Sequence, residues 1–127
     1  MKLRIKDNSI RLRLTRSEVD ALRDDNVVDS TTGFPGGRQL QYSVESSPAS
    51  VNPAAFFSDN VVMVRLPEST VASWATSEQV SMSGEQILDD GSRLTILVEK
   101  DFVCLTEREG EDESDMFPHP EAGAYGC

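Results

Sequence analysis

Laid over itself with Asp59 on Asp7, the chain repeats. Asp7-Asn8-Ser9-Ile10-Arg11-Leu12-Arg13-Leu14-Thr15 falls on Asp59-Asn60-Val61-Val62-Met63-Val64-Arg65-Leu66-Pro67. Ser17, Val19, Leu22 and Val28 then fall on Ser69, Val71, Trp74 and Val80, which makes seven identities in the 22 positions from Asp7 to Val28. After a two-residue insertion Leu40-Gln41-Tyr42-Ser43-Val44-Glu45 falls on Leu94-Thr95-Ile96-Leu97-Val98-Glu99. Amphipathic strands align easily by chance because their period is only two. A collinear series of several elements argues against chance, so the fold has to accommodate one unit twice.

Each copy reads as the same series. Leu3/Ile5 and Ile10/Leu12/Leu14 alternate with charged residues, the period of half-buried strands, and Asp7-Asn8 between them supplies turn chemistry. Thr15-Arg16-Ser17-Glu18 has capping-box spacing and predicts a short helix over about residues 16–24 that buries Val19 and Leu22. The second copy repeats this with Val71 and Trp74 after Pro67. Two further strands close each unit, around Phe34-Pro35-Gly36-Gly37 in the first and Asp89-Asp90-Gly91 in the second. The expectation is a mainly β chain with two short helices (α+β): a duplicated ββαββ unit, about eight strands, forming a pseudo-twofold barrel. Its core should gather Leu12, Leu14, Val19, Leu22, Val64, Leu66, Val71, Trp74, Ile96 and Val98.

At 127 residues one core is the natural size. Hydrophobic residues make up 38%, below the globular average of about 45–50%, so that core is modest. Residues 1–105 are expected to form a single duplicated domain, with repeat one at 2–45 and repeat two at 53–99, and residues 106–127 a flexible acidic tail. Charge supports this division. The net charge is −10, yet residues 1–65 hold nine basic and eight acidic side chains, while residues 66–127 hold three and fourteen. Glu107-Arg108-Glu109-Gly110-Glu111-Asp112-Glu113-Ser114-Asp115 carries six carboxylates against one arginine, and such blocks stay solvated. Lys2, Arg4, Lys6, Arg11 and Arg13 meanwhile face only Asp7. No apolar run approaches the roughly 18 residues of a membrane span, and residues 1–6 lack the continuous apolar stretch of a secretory signal. A cytoplasmic setting without membrane contact is expected.

A ββαββ unit whose second strand carries Asn-Ser-x-x-x-Arg-hydrophobic-Pro and leads into a short helix resembles the swapped-hairpin barrels of the AbrB/MazE type. Asn8, Ser9, Arg13 and Leu14 match in the first copy; Asn60, Arg65, Leu66 and Pro67 match in the second. In that superfamily two units interlock as a dimer, so the resemblance implies a monomeric pseudo-dimer here. The whole chain also resembles a family of small uncharacterised bacterial proteins. Their hallmarks are the Met-Lys-(hydrophobic)-Arg-Ile-Lys start, the stretch Val98-Glu99-Lys100-Asp101-Phe102-Val103-Cys104-Leu105, the acidic Glu111-Asp112-Glu113-Ser114-Asp115 and a proline-bearing tail. This second resemblance implies no established activity.

Three chemistries are weighed. The barrel resemblance implies DNA binding through Lys6, Asn8, Ser9, Arg11 and Arg13, with Arg65 as the second-copy counterpart, reaching phosphates and base edges. Against it, Asp7 and Asp59 stand where such proteins have glycine, and the net negative charge opposes a phosphate backbone. Zinc is the second: Cys104, His119, Cys127 and a carboxylate such as Asp115 have suitable ligand chemistry. Their spacing matches no Cys-x-x-Cys or His-x-x-x-His motif, and Cys104 lies in an apolar strand, so no bound metal and no cofactor are expected. Enzyme chemistry is the third, and it has least support. The single histidine sits in Pro118-His119-Pro120, and no nucleophile elbow, phosphate loop or dinucleotide fingerprint is present. A narrower option has Lys2, Arg4, Arg11, Arg13, Arg93 and Glu99 lining a barrel lumen that holds polyphosphate. The reading adopted is a non-enzymatic binding or regulatory module whose partner is a protein rather than nucleic acid.

Overall fold

A computed structural model of the chain describes residues 1–102 and 114–118. In order, the elements are β1 (Lys2–Lys6), β2 (Ser9–Leu14), α1 (Arg16–Asp25), β3 (Val27–Phe34), β4 (Arg38–Ser47), β5 (Ala54–Ser58), β6 (Val61–Pro67), α2 (Glu68–Ala75), β7 (Ser81–Ile87) and β8 (Arg93–Lys100). Each tight turn has a local cause. The β1–β2 and β5–β6 hairpins have two-residue loops, and Asp7, Asp59 and Asn60 take left-handed φ values of 49°, 50° and 63°. Asp and Asn tolerate that region far better than β-branched residues, and such turns match the twist of the strands they join. Helix α1 starts where Thr15 N–H donates to Glu18 Oε1 at 2.9 Å, the return bond of the capping box, and ends at Asn26 with φ 68°.

The strands make two four-stranded sheets, one in the order β1-β2-β8-β7 and the other β3-β4-β6-β5. In each, a hairpin from one half of the chain lies beside a hairpin from the other. The joints are parallel: β2 runs beside β8 with Leu12 opposite Val98, and β4 beside β6 with Val44 opposite Val64. All outer pairs are antiparallel. A parallel pair cannot be made by a tight turn, so both joints connect residues far apart in the chain.

The expected closed barrel is corrected: β1 and β7 remain edges of the first sheet, and β3 and β5 edges of the second. Where β5 approaches β7, Pro53 has no N–H to give a ladder, and its ring packs so tightly on Gly84 that an added Cβ there would lie 2.8 Å from Pro53 Cγ. Ala55 N–H donates instead to the side chain of Gln86, at 2.8 Å from Oε1. One side-chain bond thus stands where a ladder would close the sheet.

Alternation along β2, β6 and β8 turns Leu12, Leu14, Val64, Leu66, Ile96 and Val98 inward, and the helices add Val19, Leu22, Val71 and Trp74. All ten residues expected in the core are buried in one cluster. Full burial of side chains of this size contributes about 1.5–3 kcal/mol each. Trp74 Nε1 donates to Val80 O at 2.9 Å, which satisfies the indole. The narrower option of a polyphosphate lumen is not met, because this interior is filled with aliphatic side chains and Arg11 and Arg13 alternate to the opposite face of β2.

Residues 114–118 lie against the domain. Arg16 N–H donates to Asp115 O at 2.9 Å, Phe117 N–H donates to Asp101 O at 2.8 Å, and Met116 is buried. The rest of the expected tail, 106–113 and 119–127, lies outside the described residues. Among the described residues no helix is long and apolar enough to cross a membrane.

Candidate functional site on the outer face of the first sheet

Register places the charged residues of the N-terminal hairpin in rows. On the outer face Lys2 lies opposite Arg13, Arg4 opposite Arg11 and Lys6 opposite Ser9, and β8 continues the rows with Glu99, Leu97 and Thr95. Two arginines converge on one carboxylate: Arg11 Nη2 is 2.5 Å and Arg13 Nε 2.7 Å from Glu99 Oε1. Glu99 is largely shielded, with 12% of its side chain exposed, so this pairing is screened less than an ordinary surface bridge. Lys2 Nζ lies 3.3 Å from the buried Asp101 carboxylate, and Arg93 lies 3.0 Å from Glu85. Arg4 and Lys6 are exposed and form no ion pair with a described residue.

The residues named from the sequence divide accordingly. Lys6, Asn8, Ser9, Arg11 and Arg13 come together on one hairpin. Ser9 is occupied locally, its Oγ donating to Lys6 O at 2.6 Å, while the Asn8 main-chain O accepts Thr95 N–H from β8 at 2.9 Å. Arg65 stands apart on the second sheet, where it pairs with Glu45 at 2.6 Å and covers the Phe56 ring at 5.0 Å. The positions on β5 and β6 that match Lys2, Arg4, Lys6 and Arg11 carry Ala54, Phe56, Ser58 and Met63, and only the match of Arg13 keeps a cation, Arg65. Similar backbones therefore present a cationic face on one sheet and a largely uncharged one on the other.

Of the four zinc candidates only Asp115 is described. It accepts Ser17 N–H at 3.2 Å and Ser17 Oγ at 2.5 Å, so it serves as an added cap at the start of α1. Bonding from the Ser17 hydroxyl, then from Thr15, holds its carboxyl below the usual range. Cys104, His119 and Cys127 lie outside the described residues. Among the described residues no group of three or more His, Cys, Asp or Glu side chains is placed to hold a metal.

Glu99 is the residue that reading the hairpin alone misses. Its signal was in the alignment of the two halves of the sequence, where Arg13 and Arg65 match one another, as do Glu45 and Glu99. Exchange of hairpins between the halves is what sets each arginine opposite the other half's glutamate.

These features define a mainly β, two-sheet module with two helices and a segregated cationic face. The model of the family of unknown function DUF7009 matches residues 1–121, and the chain belongs to that family. No curated protein and no solved structure gave a match.

Proposed function

We propose that this is a non-enzymatic, cytoplasmic binding module whose recognition surface is the outer face of the first sheet, and that its partner is a protein presenting an acidic segment. The carrying observation is Arg4 directly across from Arg11, with Lys6 beside it and no carboxylate on either Arg4 or Lys6 among the described residues. Like charges facing each other across strands are destabilising. The matching positions on the second sheet do without them, so the fold itself gives no reason for the cations.

In the same reading the body is an internal duplication, one chain standing for an interlocked dimer of AbrB/MazE-like units. Support comes from the paired registers Arg13–Glu99 and Arg65–Glu45, the two-residue turns at matching places, and the exchange of hairpins. DNA binding is the competing reading. Arg11 and Arg13 are tied to Glu99, and the chain's net charge is −10, so a protein partner is favoured over a phosphate backbone.

Anisotropy titrations with a labelled polyglutamate peptide and a labelled DNA duplex at low salt test this. The peptide should bind, Arg4→Ser/Lys6→Ser should abolish binding, and the duplex should give no shift. A duplex shift with a steep salt slope that disappears in the same variant carries the DNA reading instead. If neither probe binds, the face is not a recognition surface.

A further inference from the structure

A cleft of about 410 Å³ opens between the C-terminal end of α2 and residues 114–118. Ala75, Phe102, Phe117 and Pro118 give it an apolar wall, and Lys100 and Glu78 supply its charge. Lys100 is 6% exposed and stands at the inward-facing end of β8. Its Nζ donates to Ser77 O at 2.8 Å and lies 5.7 Å from the Trp74 ring centroid and 5.4 Å from that of Phe117. An ammonium has three N–H donors, and one of them is accounted for by Ser77.

A buried ammonium normally has a carboxylate beside it. Here Asp101 turns to Lys2, and Glu78 lines the cleft without forming an ion pair with Lys100. Burial accordingly pushes the Lys100 ammonium below the usual lysine range, with the Glu78 charge acting in the opposite direction. The fold does not require a lysine there. In the first half the matching position is Ser46, whose N–H bonds Asn26 O as the Lys100 N–H bonds Val80 O.

We propose that this cleft is a binding site for a small amphipathic monocarboxylate, with the carboxylate on Lys100 Nζ and the apolar body against Phe102, Phe117 and Pro118. Its volume lies within the range of roughly 300–1,000 Å³ typical of small-molecule sites. Among the described residues one cation, with Glu78 nearby, lines the cleft and selects a monoanion, since a phosphate dianion would meet one positive charge and one negative. The apolar wall selects a ligand with a hydrocarbon or aromatic body over a fully hydrated acid.

Trp74 is the only tryptophan of the chain and touches the ammonium, so its emission reports on the site without a label. 3-Phenylpropionate should change that emission saturably, and its neutral amide should bind at least about tenfold more weakly. Lys100→Met should remove the response to the acid, and Lys100→Arg should keep it in part. Glu78→Gln, at an exposed position and safe for folding, should tighten binding. An equal response to acid and amide, no saturation into the millimolar range, or no tightening in Glu78→Gln would each overturn the assignment.

Discussion

Glu99 and Glu45 occupy matching places but differ in surroundings. Glu99 takes two arginines on one oxygen at 12% side-chain exposure, whereas Glu45 takes one arginine at 29%. Glu99→Gln leaves two guanidiniums facing a neutral amide, and should cost about 1–2 kcal/mol in urea unfolding. Glu45→Gln should cost less than about 1 kcal/mol, the usual size of an exposed pair. Equal costs would mean that the doubled pairing adds nothing. Asp115 gives a prediction of opposite character, tied to pH. Its folded-state pKa lies below the unfolded value, so ionised Asp115 stabilises the attachment of residues 114–118 to α1 above about pH 4. That contribution is lost as pH falls through the depressed value. Amide protection factors at Arg16 and Ser17, corrected for the intrinsic pH dependence of exchange, should therefore fall in acid, and Asp115→Asn should remove that pH step; a step unchanged in the variant would mean that another group governs the attachment. The residues of the basic hairpin were legible from alternation alone, because charge and apolar character separate cleanly at period two. Glu99 stood out only as one more alternating polar residue; that it holds Arg11 and Arg13 was not legible, since it lies 88 and 86 positions away and is brought in by tertiary pairing. Lys100 was hidden for the same reason, reading locally as one more charged strand residue.

Among the elements, helices and turns followed closely from local chemistry. The capping box set the start of α1 at Arg16, and left-handed Asn26 ended it at Asp25. What local chemistry could not decide was whether the sheets close, because closure depends on two edges meeting in register. Pro53 on Gly84 decides it for β5 and β7. An added methyl at Gly84 meets a proline ring held on the backbone, not the far end of a flexible chain. Gly84→Ala should therefore lower stability by about 1–3 kcal/mol, the range for overpacking a tight contact. The companion variant Pro53→Ala removes the ring, and in that background Gly84→Ala should become nearly neutral. A double-mutant cycle in urea measures the coupling. Additive effects would mean that the seam is looser than its geometry.

For the whole molecule, the consequence of exchanging hairpins is that neither half owns a sheet. Each sheet is completed by a parallel joint, β2 with β8 or β4 with β6, that bridges the two halves. Residues 1–50 alone would have two separate hairpins and one helix, with Ile10, Leu12 and Val44 stripped of Ile96, Val98 and Val64. Two-stranded hairpins without a covering layer are marginal in water. The fragment 1–50 should accordingly show no cooperative unfolding by circular dichroism at low concentration, and the fragment 51–127 should behave alike. Mixed in equal amounts, the two should regain strand signal and a sigmoidal thermal transition whose midpoint rises with concentration, as an interlocked pair requires. Because both joints link distant residues, refolding of the intact chain should also be slow for its size. Cooperative unfolding of either fragment by itself at low concentration would contradict this account, since it would mean that half of the chain can bury its apolar face without a hairpin from the other half.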